Sequence, residues 1–193
     1  LGWVSHRSLN APSEVVETFI YKLTNANPDG STLPQHFFQS LKLALTSFII
    51  ATIIGVPLGW IMGYYKVADF LLNPLFEIIR PIPPIAWIPI VILTMGIGMS
   101  AKVFIIFVAA FVPNVINSYL GIRLTDATLI NVAKTFGASD WKIFTTVCIP
   151  SSMNMVFTGI RLSLNASWTT LVAAEMLASI RGLGYMIQMG RTI

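Results

Sequence analysis

Charge is what this chain has least of. Only 10% of its 193 residues are Asp, Glu, Lys or Arg, against about 25% in a soluble domain. Such scarcity leaves too little polar surface for a water-soluble enzyme of this length, and the apolar excess excludes a disordered tail. The formal net charge of +4 is spread without a Lys/Arg cluster, so a nucleic-acid binder that neutralises a run of phosphates is excluded too. Cysteine is nearly absent: Cys148 alone makes neither a disulfide framework nor a thiolate metal site. The two histidines, His6 and His36, lie near the N-terminus and no H-E-x-x-H is present, so no metal site is expected. Without a G-x-x-x-x-G-K-[ST] there is no P-loop to hold ATP. A catalytic reading therefore has no residues to rest on. Leu1–Asn10 is polar, unlike a signal peptide, and the chain opens on Leu1 rather than Met, as a piece of a longer chain would.

What is present is apolar. Hydrophobic residues make up 55% of the chain and the mean hydropathy is +0.75, so the bilayer is its solvent. The few charges bracket the spans. Leu43 to Tyr65 carries none; as a helix this window reaches roughly 34 Å, against a hydrocarbon core of about 30 Å. Arg80 to Lys102 and Lys102 to Arg123 bracket two more windows, and from Ile143 to Ala174 the one charge is Arg161. The expected architecture is an all-α polytopic membrane helix bundle with spans at about 41–65, 70–99 (irregular), 103–122 and 150–177. Residues 1–40 read as an extracytoplasmic or interfacial segment, and 41–193 as the membrane core. Within 1–40, a helix over 14–23 is capped by Ser13, Asn25–Gly30 is an aqueous loop, and His36-Phe37-Phe38 forms an interfacial elbow. Arg123, Lys134, Lys142 and Lys66 place the loop 123–149 in the cytoplasm by the positive-inside tendency. No internal repeat supports an inverted-repeat transporter.

Four features carry the functional question, each with two physical readings. Gly55, Gly59 and Gly63 recur every fourth residue, a spacing that serves close helix packing or a hinge. Arg80–Pro89 contains Pro81, Pro83, Pro84 and Pro89, which rules out a regular helix; irregular backbone at membrane depth sits inside protein or lines water, so it is a buried kink or part of a pathway. Glu77 and Arg80 stand three apart and can pair. In the loop, Asp126 can cap a helix bearing the stripe Leu129, Val132, Ala133 and Phe136; Gly137 ends it, Ser139 caps a second helix through Trp141, and Pro150 breaks the pattern. Either the membrane domain or a partner protein covers that stripe. In the last span Arg161, Asn165, Trp168, Val172 and Glu175 fall on one line, and a charge at membrane depth needs protein or water. Trp87 and Thr94 in the irregular span, and Asn114 and Asn117 in the third, complete the candidate pathway set; interhelical hydrogen bonding is the other use of such groups.

The loop then acquires a resemblance. Asn131-Val132-Ala133-Lys134-Thr135-Phe136-Gly137, nine further residues and Val147-Cys148-Ile149-Pro150 resemble the EAA loop, E-A-A-x3-G-x9-I-x-L-P, of permease subunits of binding-protein-dependent ABC importers. Ala133, Gly137 and Pro150 match; Asn131 and Val132 stand where the pattern has Glu and Ala, so no acidic role is carried over. Ala11–Val16, Arg80–Pro89, Thr158–Leu164, Val172–Met176 and Gly182–Tyr185 look like the nitrate/sulfonate/taurine/bicarbonate group, in order from Ala11 to the C-terminus. The resemblance implies a type I ABC importer permease fold of six spans, with the family's first and last helices outside this chain, in a bacterial cytoplasmic (inner) membrane. It implies a coupling helix near Ala127–Phe136 that docks on a dimer of ATPase subunits through Asn131, Val132, Ala133, Phe136, Gly137, Ser139 and Asp140. It also implies a second permease subunit, a homodimer, and an extracytoplasmic substrate-binding protein. ATP and Mg would sit on the ATPase, with no cofactor in this chain. The implied cargo is an organic sulfonate such as taurine or a small oxyanion such as nitrate or bicarbonate; a neutral heterocycle such as a pyrimidine precursor is the alternative. From other classes, an ATP-independent channel or secondary transporter and a non-transporting scaffold would both lack a need for the amphipathic hairpin.

Overall fold

The computed structural model describes residues 11–190, all in helices and their connections. The expectations for Leu1–Asn10 lie outside the described residues. α1 (Pro12–Thr24) is followed by α2 (Leu33–Tyr64), α3 (Lys66–Ile79), a 3₁₀ turn (Pro84–Trp87), α4 (Ile88–Met95) and α5 (Met99–Arg123). Then come α6 (Ala127–Thr135), α7 (Asp140–Ile143), a π-turn (Phe144–Cys148), α8 (Ile149–Ala178) and α9 (Leu183–Gly190).

α5 is the middle of the bundle, with α2 on one side and α8 on the other. Lipid supplies no hydrophobic force between helices, so close approach through small residues does the work. Gly59 is a seat of that kind: a Cβ there would lie 2.5 Å from the Val115 carbonyl oxygen of α5. Gly63 meets Ile122 and Gly55 meets Asn114 along the same seam. On the other side of α5, Gly159 of α8 lies against Asn117, and Gly121 of α5 lies against Ser152. The glycine stripe of the first span is therefore a packing surface.

Several boundaries differ from expectation. α1 begins on Pro12 rather than behind a Ser13 cap; the Ala11 backbone N–H is taken by the Glu14 carboxylate at 3.2 Å. α2 starts at Leu33 and so crosses the expected 40/41 boundary. His36, Phe37 and Phe38 belong to its first turns instead of an elbow, because Pro34 suits a first helical turn and the Gln35 side chain accepts the Thr32 N–H. The irregular span resolves into α3 and α4, bent by 87° across the proline-rich break. The largest correction concerns Pro150. Helix runs unbroken from Asp140 to Met176 because Ile149 donates to the Phe144 carbonyl five residues back, and this wide turn admits the proline ring.

Candidate functional site

One end of the bundle carries the hairpin of α6 and α7. Its caps are local. The Asp126 carboxylate accepts the Thr128 N–H at 2.8 Å, a bond that also holds this carboxyl below its usual range. Gly137 has φ +73°, the left-handed conformation that ends a helix at least cost on glycine. The Ser139 hydroxyl accepts the Lys142 N–H at 3.4 Å. The hairpin is also fastened to the membrane helices: Tyr64 of α2 donates to the Asp140 carbonyl at 3.0 Å, and the Tyr64 and Trp141 rings pack on Phe144 at 4.9 and 5.6 Å.

The loop stripe divides. Ala133 joins Ile130 and Ala138 against the buried cluster of Ile122, Ile143, Phe144 and Cys148. Leu129, Val132 and Phe136 face away, with Phe136 86% exposed, and Trp141 is 65% exposed beside its contact with Phe144. The expected single stripe is thus two: Ala133 anchors the hairpin, while its neighbours present an apolar surface. Asn131, Gly137, Ser139 and Asp140 lie on the exposed side. Near this end Arg123 of α5 pairs with Asp69 of α3 at 2.6 Å and lies over the Tyr119 ring, which fixes α3 to α5.

The candidate pathway residues fall into separate environments. Arg161, Asn165 and Trp168 share the exposed face of α8, and among the described residues no ion pair reaches Arg161. Asn114 is fully buried and donates to Ser163 of α8 at 2.8 Å and Thr52 of α2 at 3.1 Å, so it bonds three helices together. Asn117 turns back on the Pro113 carbonyl at 2.8 Å and packs on Gly159. Trp87 is half-buried in the cluster of Ile88, Val91, Ala101 and Ile105, its indole Nε1 without a partner. Thr94 is exposed but spends its hydroxyl on the Ile90 carbonyl at 2.9 Å. Glu77 and Arg80 do pair, at 3.2 Å, on an open surface.

Glu175 lies on the same line of α8 but is enclosed. It is fully buried at the other end of the bundle, where Ser40 of α2 donates to its carboxylate at 2.7 Å and the Gly184 N–H at 3.0 Å. Beside it, the His36 Nδ1 accepts the Gly182 N–H at 2.9 Å, which leaves the ring proton of the neutral form on Nε2, 2.9 Å from Asp29. Lys22 of α1 pairs with the same Asp29 and reaches the Asn27 carbonyl at 3.0 Å, so the expected aqueous loop is folded onto the helices. Burial alone would raise the Asp29 carboxyl, but Lys22, its own backbone and His36 together hold it below its usual range. The sequence reading missed His36, Ser40 and Asp29. The available signal was a polar i, i+4 pair, His36 and Ser40, at the head of an apolar helix.

Three membrane-length helices, a fourth broken span, and an apolar hairpin carried on a continuous helix define a class. It is a multi-pass membrane subunit shaped to work inside a larger assembly. The chain belongs to the binding-protein-dependent transport system inner membrane component family, whose sequence profile matches residues 55–193. It is 39% identical over 180 residues to a probable ABC transporter permease protein of Brucella melitensis, covering 93% of this chain and 71% of that one. It is 35% identical over 191 residues to the taurine transport system permease protein TauC of Escherichia coli, covering 97% and 68%. A nitrate import permease protein, NrtB, of a Synechocystis species is 32% identical over 184 residues, covering 93% and 67%. The chain is therefore an ABC transporter permease subunit of the inner membrane, and its function is transport.

Proposed function

We infer that this permease carries a small sulfonate or oxyanion inward, powered by ATPase subunits that it does not itself contain. The observation that supports this most is the hairpin. Leu129, Val132, Phe136 and Trp141 are exposed on an element whose caps are complete and whose base is anchored by Ala133, Tyr64 and Phe144. Such a surface is ready-made for a groove on a partner. In this reading the hairpin end faces the cytoplasm, ATP and Mg are bound by the partner ATPase, and a second copy of the permease completes the path. The unpaired Arg161, with Asn165 and Trp168, then faces that path rather than lipid, where the cost of a charge is at least ~2.5 kcal/mol. Taurine and nitrate relatives give the cargo class.

The test is reconstitution of the permease with its ATPase and substrate-binding protein in vesicles. Uptake of taurine, an alkanesulfonate, nitrate or bicarbonate is expected only with ATP, and vanadate is expected to stop it. Calorimetry of the binding protein against the same panel plus a pyrimidine fixes the cargo. Uptake without ATP, or binding confined to the pyrimidine, would overturn the reading.

A further inference from the structure

α9 starts directly behind Gly182, which has no side chain with which to cap it. The first N–H groups of a helix have no partner within it and need acceptors from elsewhere. At the start of α9 three consecutive backbone donors find theirs on two other helices. Gly182 donates to His36 Nδ1 at 2.9 Å, Leu183 to Ser40 Oγ at 2.9 Å, and Gly184 to Glu175 Oε2 at 3.0 Å. His36 and Ser40 belong to α2 and Glu175 to α8, and all three side chains are fully buried. Ser40 links the set, because the hydroxyl that accepts from Leu183 gives its own proton to Glu175. Space is as constrained as bonding. A Cβ on Gly182, whose φ is +133°, would fall 2.3 Å from the Glu175 carboxyl carbon, and one on Gly184 would fall 2.5 Å from the Val172 carbonyl oxygen.

This arrangement makes the position of α9 a readout of the spacing between α2 and α8. The three donors of the 182–184 turn cannot all keep their acceptors if those helices separate, because two acceptors lie on α2 and one on α8, and a buried polar group that loses its partner is costly. Around the set, Asp29 and Lys22 stand behind His36, Tyr185 packs on its ring, and Lys102 of α5 holds Ser179 at 2.9 Å. The node lies at the end of the bundle opposite the hairpin, with roughly 40 Å of α8 between Glu175 and Ile149.

We propose that His36, Ser40 and Glu175 form a latch that docks α9 through the 182–184 backbone, and that this latch opens when α2 and α8 part during the transport cycle. The opening step rests on the transport function proposed above; the latch itself does not. Hydrogen–deuterium exchange of the importer in lipid nanodiscs tests both. In the resting complex the peptide spanning 182–184 is expected to be protected. Ser40→Ala is expected to speed its exchange at least tenfold while α5 peptides stay protected, which shows that the bundle still folds. Glu175→Gln keeps the side-chain shape and an acceptor oxygen, and is expected to have a smaller effect. Equal exchange in wild type and Ser40→Ala, with α5 protected in both, overturns the latch. Vanadate trapping is expected to expose the same peptide in the wild type. Unchanged protection in a complex that does trap vanadate overturns the opening step alone. Failure to trap vanadate at all overturns the transport reading, and the opening step with it.

Discussion

At the hairpin end, apolar side chains face outward and the caps of α6 and α7 are local; at the latch end, polar side chains are buried and the cap of α9 comes from other helices. Asp126 and Ser139 finish α6 and α7 from within the hairpin, whereas α9 is finished by His36, Ser40 and Glu175 from α2 and α8. A locally capped element keeps its shape when its surroundings move, so it suits a surface that must meet another protein. An element capped from elsewhere keeps its place only while its surroundings hold still. One bundle thus carries a stiff connector at one end and a position-sensitive closure at the other.

Three variants break or sharpen that contrast. The largest effect is expected from Leu129→Asp combined with Phe136→Asp, which puts two charges on the exposed apolar surface. ATPase capture, measured by co-purification and titration, should fall roughly 1,000-fold, about 4 kcal/mol, the scale of two interface hot spots. Membrane insertion and protection of the 182–184 peptide should be unchanged. Next is Glu175→Leu, which leaves the Ser40 hydroxyl and the Gly184 N–H without an acceptor in a buried site. It should cost about 2–3 kcal/mol in thermal or denaturant melts in detergent, while the ATPase still docks. The smallest effect is expected from Gly137→Ala, at φ +73°. A side chain in that conformation costs about 1 kcal/mol, so ATPase affinity should drop roughly fivefold. A larger loss from Glu175→Leu than from the hairpin pair, in the docking assay, would erase the distinction between the two ends.

Much of this was legible from the residues alone, and the failures have physical causes. Charge-free windows located the spans because membrane depth is what excludes charge. Asp126, Gly137 and Ser139 announced the hairpin because caps and terminators are local chemistry. Periodicity says which residues share a line but not what the line faces. That is why Arg161, Asn165 and Trp168 stay exposed on α8 while Glu175, on the same line, is enclosed. It is also why Ala133 turned inward while Val132 and Phe136 did not. The latch was hidden for a different reason. Ser40 and Glu175 are 135 residues apart, and only the packing of α2 beside α8 brings them together. The first span is expected late because His36-Phe37-Phe38 reads as an interfacial elbow, whereas these residues lie in the first turns of α2 and His36 is buried against α9.

The π-turn at Phe144–Cys148 has an angular consequence. A π-turn holds one residue more than the α-helical turn it replaces, and one residue is worth about 100° of rotation and 1.5 Å of rise. The direction in which Phe136 and Trp141 look, relative to Arg161 and Trp168 further along the same helix, is therefore set by that one extra residue. Remove a residue between Phe144 and Cys148 and the composition of both surfaces is untouched, yet the hairpin turns by roughly a quarter of a circle relative to α8.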